Sequence, residues 1–173
     1  MSDYDRTTRE CPVTQLRPEL LQAIRDYFQT HELGDLEAET LACCETVSTQ
    51  KGAGRLPAWL TGELDTIIYM GTLLTSQWLI WVRSGDRSGS LLTAANLKDI
   101  QVKVFTSTLT KDSGLEIVGY LEGSKGRIRG YIGMGPELAT QTFFEQVKQA
   151  IAKANPPTPS RLPQWLRSAL PPS

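Results

Sequence analysis

Histidine and cysteine are scarce in this chain of 173 residues: His31 stands alone, and the cysteines are Cys11, Cys43 and Cys44. No Cys-x-x-Cys or His/Cys spacing is present, so no zinc site is read. An odd cysteine count with one adjacent pair speaks against a disulfide framework. In a strand, Cys43 and Cys44 would point to opposite faces. Net charge is also lacking, at −1 from 18 basic and 19 acidic side chains. There is thus no global attraction to nucleic acid or anionic lipid. The opening MSDYDRTTRE is polar throughout, so no signal peptide is read and the expected location is cytoplasmic. No carboxylate pair, nucleophile elbow, dinucleotide fingerprint or phosphate loop stands out. No catalytic residue, metal ligand or cofactor is therefore expected.

What is present is a central uncharged stretch. Between Asp65 and Arg83 lie 17 residues without a formal charge. A membrane span needs roughly 20 predominantly apolar residues. This run is shorter, and Thr66, Gly71, Thr72, Thr75, Ser76 and Gln77 interrupt it. The polar residues gather at Thr75-Ser76-Gln77, where a hairpin would turn. Ile67, Ile68 and Tyr69 before them, and Trp78, Ile80, Trp81 and Val82 after, suit a pleated surface. The stretch therefore reads as two paired strands rather than a buried or spanning helix. Trp78, Ile80 and Val82 would face one way, Leu79, Trp81 and Arg83 the other. With both faces largely apolar, this is expected to be a central strand covered on each side.

The rest of the chain is arranged around that hairpin. Residues 1–14 read as a disordered lead, and residues 15–154 as one domain. A helix is predicted over 16–33: Pro18 suits its first turn, and Leu20, Leu21, Ile24, Tyr27 and Phe28 form one apolar stripe. His31 falls near its last turn and reads as structural. A first strand is placed at 41–50. The glycines and Pro57 of residues 51–63 mark a loop, in which Trp59 and Leu60 are expected to tuck against the core. After the hairpin, short alternating strands follow at Leu91–Leu92, Ile100–Phe105, Leu115–Tyr120 and Ile128–Ile132, joined by turns. Pro136 then opens a helix over 136–153, whose stripe is Ala139, Phe143, Phe144, Val147, Ala150 and Ile151. The pattern predicts an α+β fold with an antiparallel meander of about six to seven strands. Residues 155–173 form a Pro-rich tail, NPPTPSRLPQWLRSALPPS, with six prolines and no acidic side chain.

A meander that ends in one amphipathic helix resembles the pleckstrin-homology superfold, in its bacterial GRAM-like branch. The resemblance rests on Tyr69-Met-Gly-Thr-Leu-Leu-Thr75-Ser-Gln-Trp78-Leu-Ile80, a strand ending in Thr before a short turn and a bulky residue. It rests also on Leu97-Lys-Asp99-Ile100 ahead of the next strand, and it covers about residues 40–153. It implies a curved sheet or β-barrel capped by the C-terminal helix, to which the N-terminal helix and the tail are additions. Cys43-Cys44-Glu45-Thr46 and Leu74-Thr75-x-x-Trp78-Leu-Ile-Trp81 are also similar to a group of cyanobacterial proteins.

Four sets of residues are candidates for function. Pleckstrin-like domains that bind phosphoinositides use basic residues in an early loop, which implies a headgroup role for Lys51 and Arg55. Two cations contribute little membrane affinity by themselves, so a solvated loop is the simpler reading. Lys125, Arg127 and Arg129 form a basic patch that either meets an acidic partner or guards a strand edge. Cys43 and Cys44 read as buried small hydrophobes rather than a redox sensor. In the tail, Leu162, Trp165, Leu166 and Leu170 lie at roughly helical spacing, flanked by Arg161 and Arg167. Such a set fills a hydrophobic groove, on a partner or on its own domain. The expectation is a non-enzymatic protein-interaction module. A peripheral membrane domain is the alternative, a small enzyme without a recognisable motif comes third, and no nucleic-acid partner is expected.

Overall fold

The computed structural model describes residues 4–51, 65–85, 88–107 and 112–156. Eight strands are found among them: β1 (Tyr4–Glu10), β2 (Ala42–Gln50), β3 (Ile67–Leu74), β4 (Trp78–Gly85), β5 (Gly89–Asn96), β6 (Ile100–Ser107), β7 (Asp112–Gly119) and β8 (Ile128–Gly133). The helices are α1 (Pro18–Thr30), the short α2 (Leu36–Glu39) and α3 (Leu138–Ala154). The strands form two antiparallel sheets, one in the order β1-β2-β3-β4-β5 and one in the order β6-β7-β8.

The uncharged stretch doubles back as predicted. Leu74 pairs with Leu79 across the turn, and the ladder runs on to Ile68 and Gly85. Thr75 makes the turn. Its backbone N–H donates to the Trp78 carbonyl at 2.9 Å. Its hydroxyl oxygen accepts from the N–H groups of Trp78 at 2.9 Å and Gln77 at 3.2 Å. A short hydroxyl side chain can in this way stand in for a backbone turn.

The two faces of β4 divide as the alternation implies. Ile80 and Val82 enter one apolar cluster with Leu20, Ile24, Tyr27 and Phe28 of α1, and Trp78 packs against it. Leu79 and Trp81 enter a second cluster with Leu115, Ile117, Ile132, Phe143 and Val147, from the second sheet and α3. The first sheet is therefore sandwiched, with α1 outside and the second sheet and α3 inside. Burying both faces of a strand removes about twice the apolar area that an ordinary half-exposed strand removes, at ~25 cal/mol per Å².

The first long helix begins at a proline, and the second begins at Leu138, two residues after the proline expected to open it. Pro18 occupies the first turn of α1, with Glu19 beside it at the positive end of the dipole. Pro136 lies just ahead of Glu137, the N-cap of α3. After α1 the chain reverses through Glu32 at φ 51° and Gly34 at φ 91°, left-handed values that glycine adopts without steric cost.

Two expectations need correction. Residues 4–10, placed in a disordered lead, pair along their whole length with β2, from Tyr4 opposite Gln50 to Glu10 opposite Cys44. Composition signals disorder through a lack of apolar residues, but an edge strand does not need them. The β1 ladder satisfies backbone groups, Asp5, Arg9 and Glu10 face water, and the Thr8 hydroxyl meets the Thr46 hydroxyl at 2.8 Å. Second, no closed barrel forms among the described residues, and the strand number exceeds six to seven. The sheets touch at two corners without a shared ladder. At one, Glu122 N–H donates to the Ala94 carbonyl at 2.9 Å. At the other, Gly135 N–H donates to the Thr8 hydroxyl at 2.8 Å, and Thr8 N–H to Glu137 Oε2 at 3.0 Å. Trp59 and Leu60 lie outside the described residues.

Candidate partner-binding surface

The α3 helix separates two clefts. The first, about 480 Å³, is floored by Leu41, Leu74, Ala150 and Ala154 and rimmed by Ser76, Gln146, Gln149 and Lys153. Its shape follows from the sequence at each wall. Leu41 precedes β2, and its N–H is pinned to the Leu74 carbonyl at 2.8 Å. Its side chain is left outside, 58% exposed. Opposite, α3 presents alanines rather than large side chains, which leaves the cleft open. At Ser76 it meets a smaller hollow of about 210 Å³, lined by Phe28, Leu33 and Trp78 together with the carboxylates of Glu32 and Glu39. The combined surface is an apolar trough that ends among acids.

The second cleft, about 470 Å³, lies on the other flank of α3. Lys98 and Arg127 line it with Tyr120, Ile151 and Asn155. The Asn155 side-chain amide donates to the Leu97 carbonyl at 3.1 Å.

The predicted basic patch is only partly assembled. Lys125, Arg127 and Arg129 are all exposed. Arg127 faces the second cleft. Arg129 sits on β8 and pairs with Glu116 of the neighbouring strand at 2.7 Å. Lys51 pairs with Asp5 of β1 at 2.9 Å. Arg55 lies outside the described residues, as do Arg161, Leu162, Trp165, Leu166, Arg167 and Leu170.

A polar cluster that sequence reasoning missed ties α1 to the turn after β7. The Tyr27 hydroxyl donates to the Glu122 carboxylate. His31 Nε2 lies 2.9 Å from the same carboxylate, and His31 Nδ1 lies 2.9 Å from the Tyr27 carbonyl. The two rings stack at 4.0 Å. Both imidazole nitrogens thus face oxygen atoms of the protein. Burial, reinforced by the adjacent carboxylate, raises the Tyr27 pKa well above the usual phenol range. A proton held so firmly suits a clamp. Glu122 carries no local signal in the sequence, because its partners lie some ninety positions away.

Cys43 and Cys44 are buried, as expected, and enter different clusters; Cys11, expected to lie in a disordered lead, is buried as well. Cys43 has Cys11 as its neighbour: Cys11 N–H donates to the Cys43 carbonyl at 3.1 Å. The thiol contact between them lowers the Cys11 pKa and raises that of Cys43. Burial pushes Cys44 up to about 12. Among the described residues no three His, Cys, Asp or Glu side chains are grouped so as to hold a metal ion. Nor is any helix among them long and apolar enough to cross a membrane. No family model, curated protein or solved structure matches the chain.

Proposed function

We propose that the protein is a non-enzymatic interaction module that docks a protein partner in the Leu41–Ala154 cleft. The Trp165 segment of the tail serves as a second contact. The observation that carries this reading is Leu41, a large apolar side chain 58% exposed at the mouth of a cleft with an apolar floor and a polar rim. Such a surface fits an apolar anchor from a partner. It does not supply the converging ionisable groups that catalysis uses. The Tyr27–Glu122–His31 cluster is better suited to fastening, since each of its polar groups is engaged within the protein. The meander β2–β8 followed by α3 agrees with a pleckstrin-like scaffold to which β1 and α1 have been added. A headgroup role draws little support from Lys51, whose charge is partly offset by Asp5.

The test is affinity purification from the source cell with three baits: the unaltered chain, Leu41→Asp, and a chain lacking residues 156–173. A specific partner is expected with the first and at least about tenfold less of it with the second. Its recovery is expected to fall, more modestly, with the third. Equal recovery on all three would remove the cleft and the tail from the function. Flotation of the protein with anionic vesicles at low salt would favour the membrane alternative instead.

A further inference from the structure

We propose that, in the partner-free protein, the tail folds back and occupies the Leu41–Ala154 cleft of its own chain. Leu162, Trp165 and Leu166 would cover the apolar floor, and Arg161 and Arg167 would lie toward Glu32 and Glu39. The inference rests on the reading of this cleft as a docking surface, and it names the cleft's first occupant.

Three observations carry it. The first is position. The described chain ends at Pro156, two residues beyond Ala154, which lines the cleft. The cleft runs beside the last two turns of α3, Gln146 to Ala154, about 12 Å at 1.5 Å per residue. Trp165 lies nine positions beyond Pro156, a reach of up to about 28 Å if extended. The tail can therefore reverse direction and still cover the floor.

The second is charge. Both clefts beside α3 lie within reach, but in one Lys98 and Arg127 outnumber Asp99, while the other, with Lys153 on its rim, opens onto the two acids Glu32 and Glu39. A segment with two arginines and no acid is repelled by the first and attracted by the second. The third is matching surface. The floor offers Leu41 and Leu74 with two small alanines opposite, and the tail sequence supplies a tryptophan and leucines at roughly helical spacing. A short tether holds its end at roughly millimolar effective concentration. A contact with a dissociation constant of about 0.1 mM would then be filled about ten times as often as it is empty. An outside partner displaces the tail from the cleft, and the freed Trp165 segment then makes the second contact, so removing the tail lifts a competitor but also loses that contact, and recovery falls only modestly.

The test uses the full chain, labelled for NMR, with Trp165→Ser in the tail and Leu41→Asp in the cleft. Trp165→Ser is expected to shift the amides of Leu41, Ala150 and Ala154 and to speed amide exchange around the cleft by up to about tenfold. Leu41→Asp is expected to shift the Trp165 indole resonance. Both changes should be independent of protein concentration. Unmoved cleft amides would overturn the proposal, as would shifts confined to Lys98 and Tyr120. Shifts that fade on dilution would assign the cleft to the tail of a second copy and would also overturn it. A cleft that holds the tail but captures no partner would leave this inference standing and remove the proposed function. Partner loss on Leu41→Asp with unmoved cleft amides would do the reverse.

Discussion

The two sheets of this protein are built from strands of similar length and treat their apolar residues differently. In the first sheet, β4 buries Leu79, Ile80 and Val82 completely. In the second, cover runs out toward the ends of the inner face, where Val104 (51% exposed) and Ile128 meet water, and Tyr131 stands on the outer face opposite Glu116. The difference lies in what covers each sheet. The first has α1 on its outside face and the second sheet with α3 on its inside face. Among the described residues the second sheet is covered on the inside only, and its outer face carries Arg129 paired with Glu116. A strand apolar on both sides needs two covers, and the chain supplies the outer one with the helix ahead of the meander. The strand covered on both faces, β4, thereby starts at the Thr75 turn that borders the proposed docking cleft.

The contrast can be broken most directly at β4. Ile80→Ala is expected to cost about 3 kcal/mol, because it leaves a cavity between the sheet and α1. Val104→Ala in β6 should cost well under half of that, since its side chain is already half in water. The shift in urea midpoint for each variant measures the difference. Equal losses would mean that the second sheet shares the core to the same degree as the first.

A smaller effect is expected where the two regions are fastened together. Tyr27→Phe removes the hydroxyl that α1 places on Glu122 and should cost about 1 kcal/mol. It should also change the response to alkali. The folded-state pKa of Tyr27 is raised, first by burial and then by Glu122. The stability tied to keeping that proton is fully present below the ordinary phenol value of about 10 and is lost as pH rises above it. Denaturant midpoints between neutral and strongly alkaline pH should therefore fall more gently for Tyr27→Phe than for the parent. Parallel curves would mean that the clamp does not hold the phenol in its neutral form. The smallest effect belongs to the open face of the second sheet. Arg129→Ala breaks a pair whose arginine is largely exposed and should change stability by less than about 0.5 kcal/mol. A loss several times larger would show that this face is structurally committed.

Much of the architecture was legible because its signals are local. The alternation at Trp78–Val82, the hydroxyl turn at Thr75, and the helix starts at Pro18 and Pro136 each sit within a few residues of what they specify. The apolar stripe Leu20, Ile24, Tyr27, Phe28 predicted a helix and its buried face together. The strand β1 was not legible, because an edge strand of Tyr, Arg and Thr has the composition of a polar lead and gains its structure from a partner forty residues away. The docking cleft was hidden for the same reason. Leu41 looked like the start of a strand, and Ala150 like one more member of a helix stripe; neither residue predicts that the other stands across a gap.

The sequence by itself determined which segments become strands and helices, where they turn, and which faces of β4 must be covered. Those choices depend on backbone conformation and on periodic burial, which neighbouring residues control. Only the tertiary structure decided that the meander divides into two sheets, that a polar lead completes the first, that Cys11 stands beside Cys43, and that Glu122 joins Tyr27 and His31. Each of these is a meeting of residues far apart in the chain. Which distant segments meet is settled by the packing of whole elements, and no stretch of sequence carries that information alone.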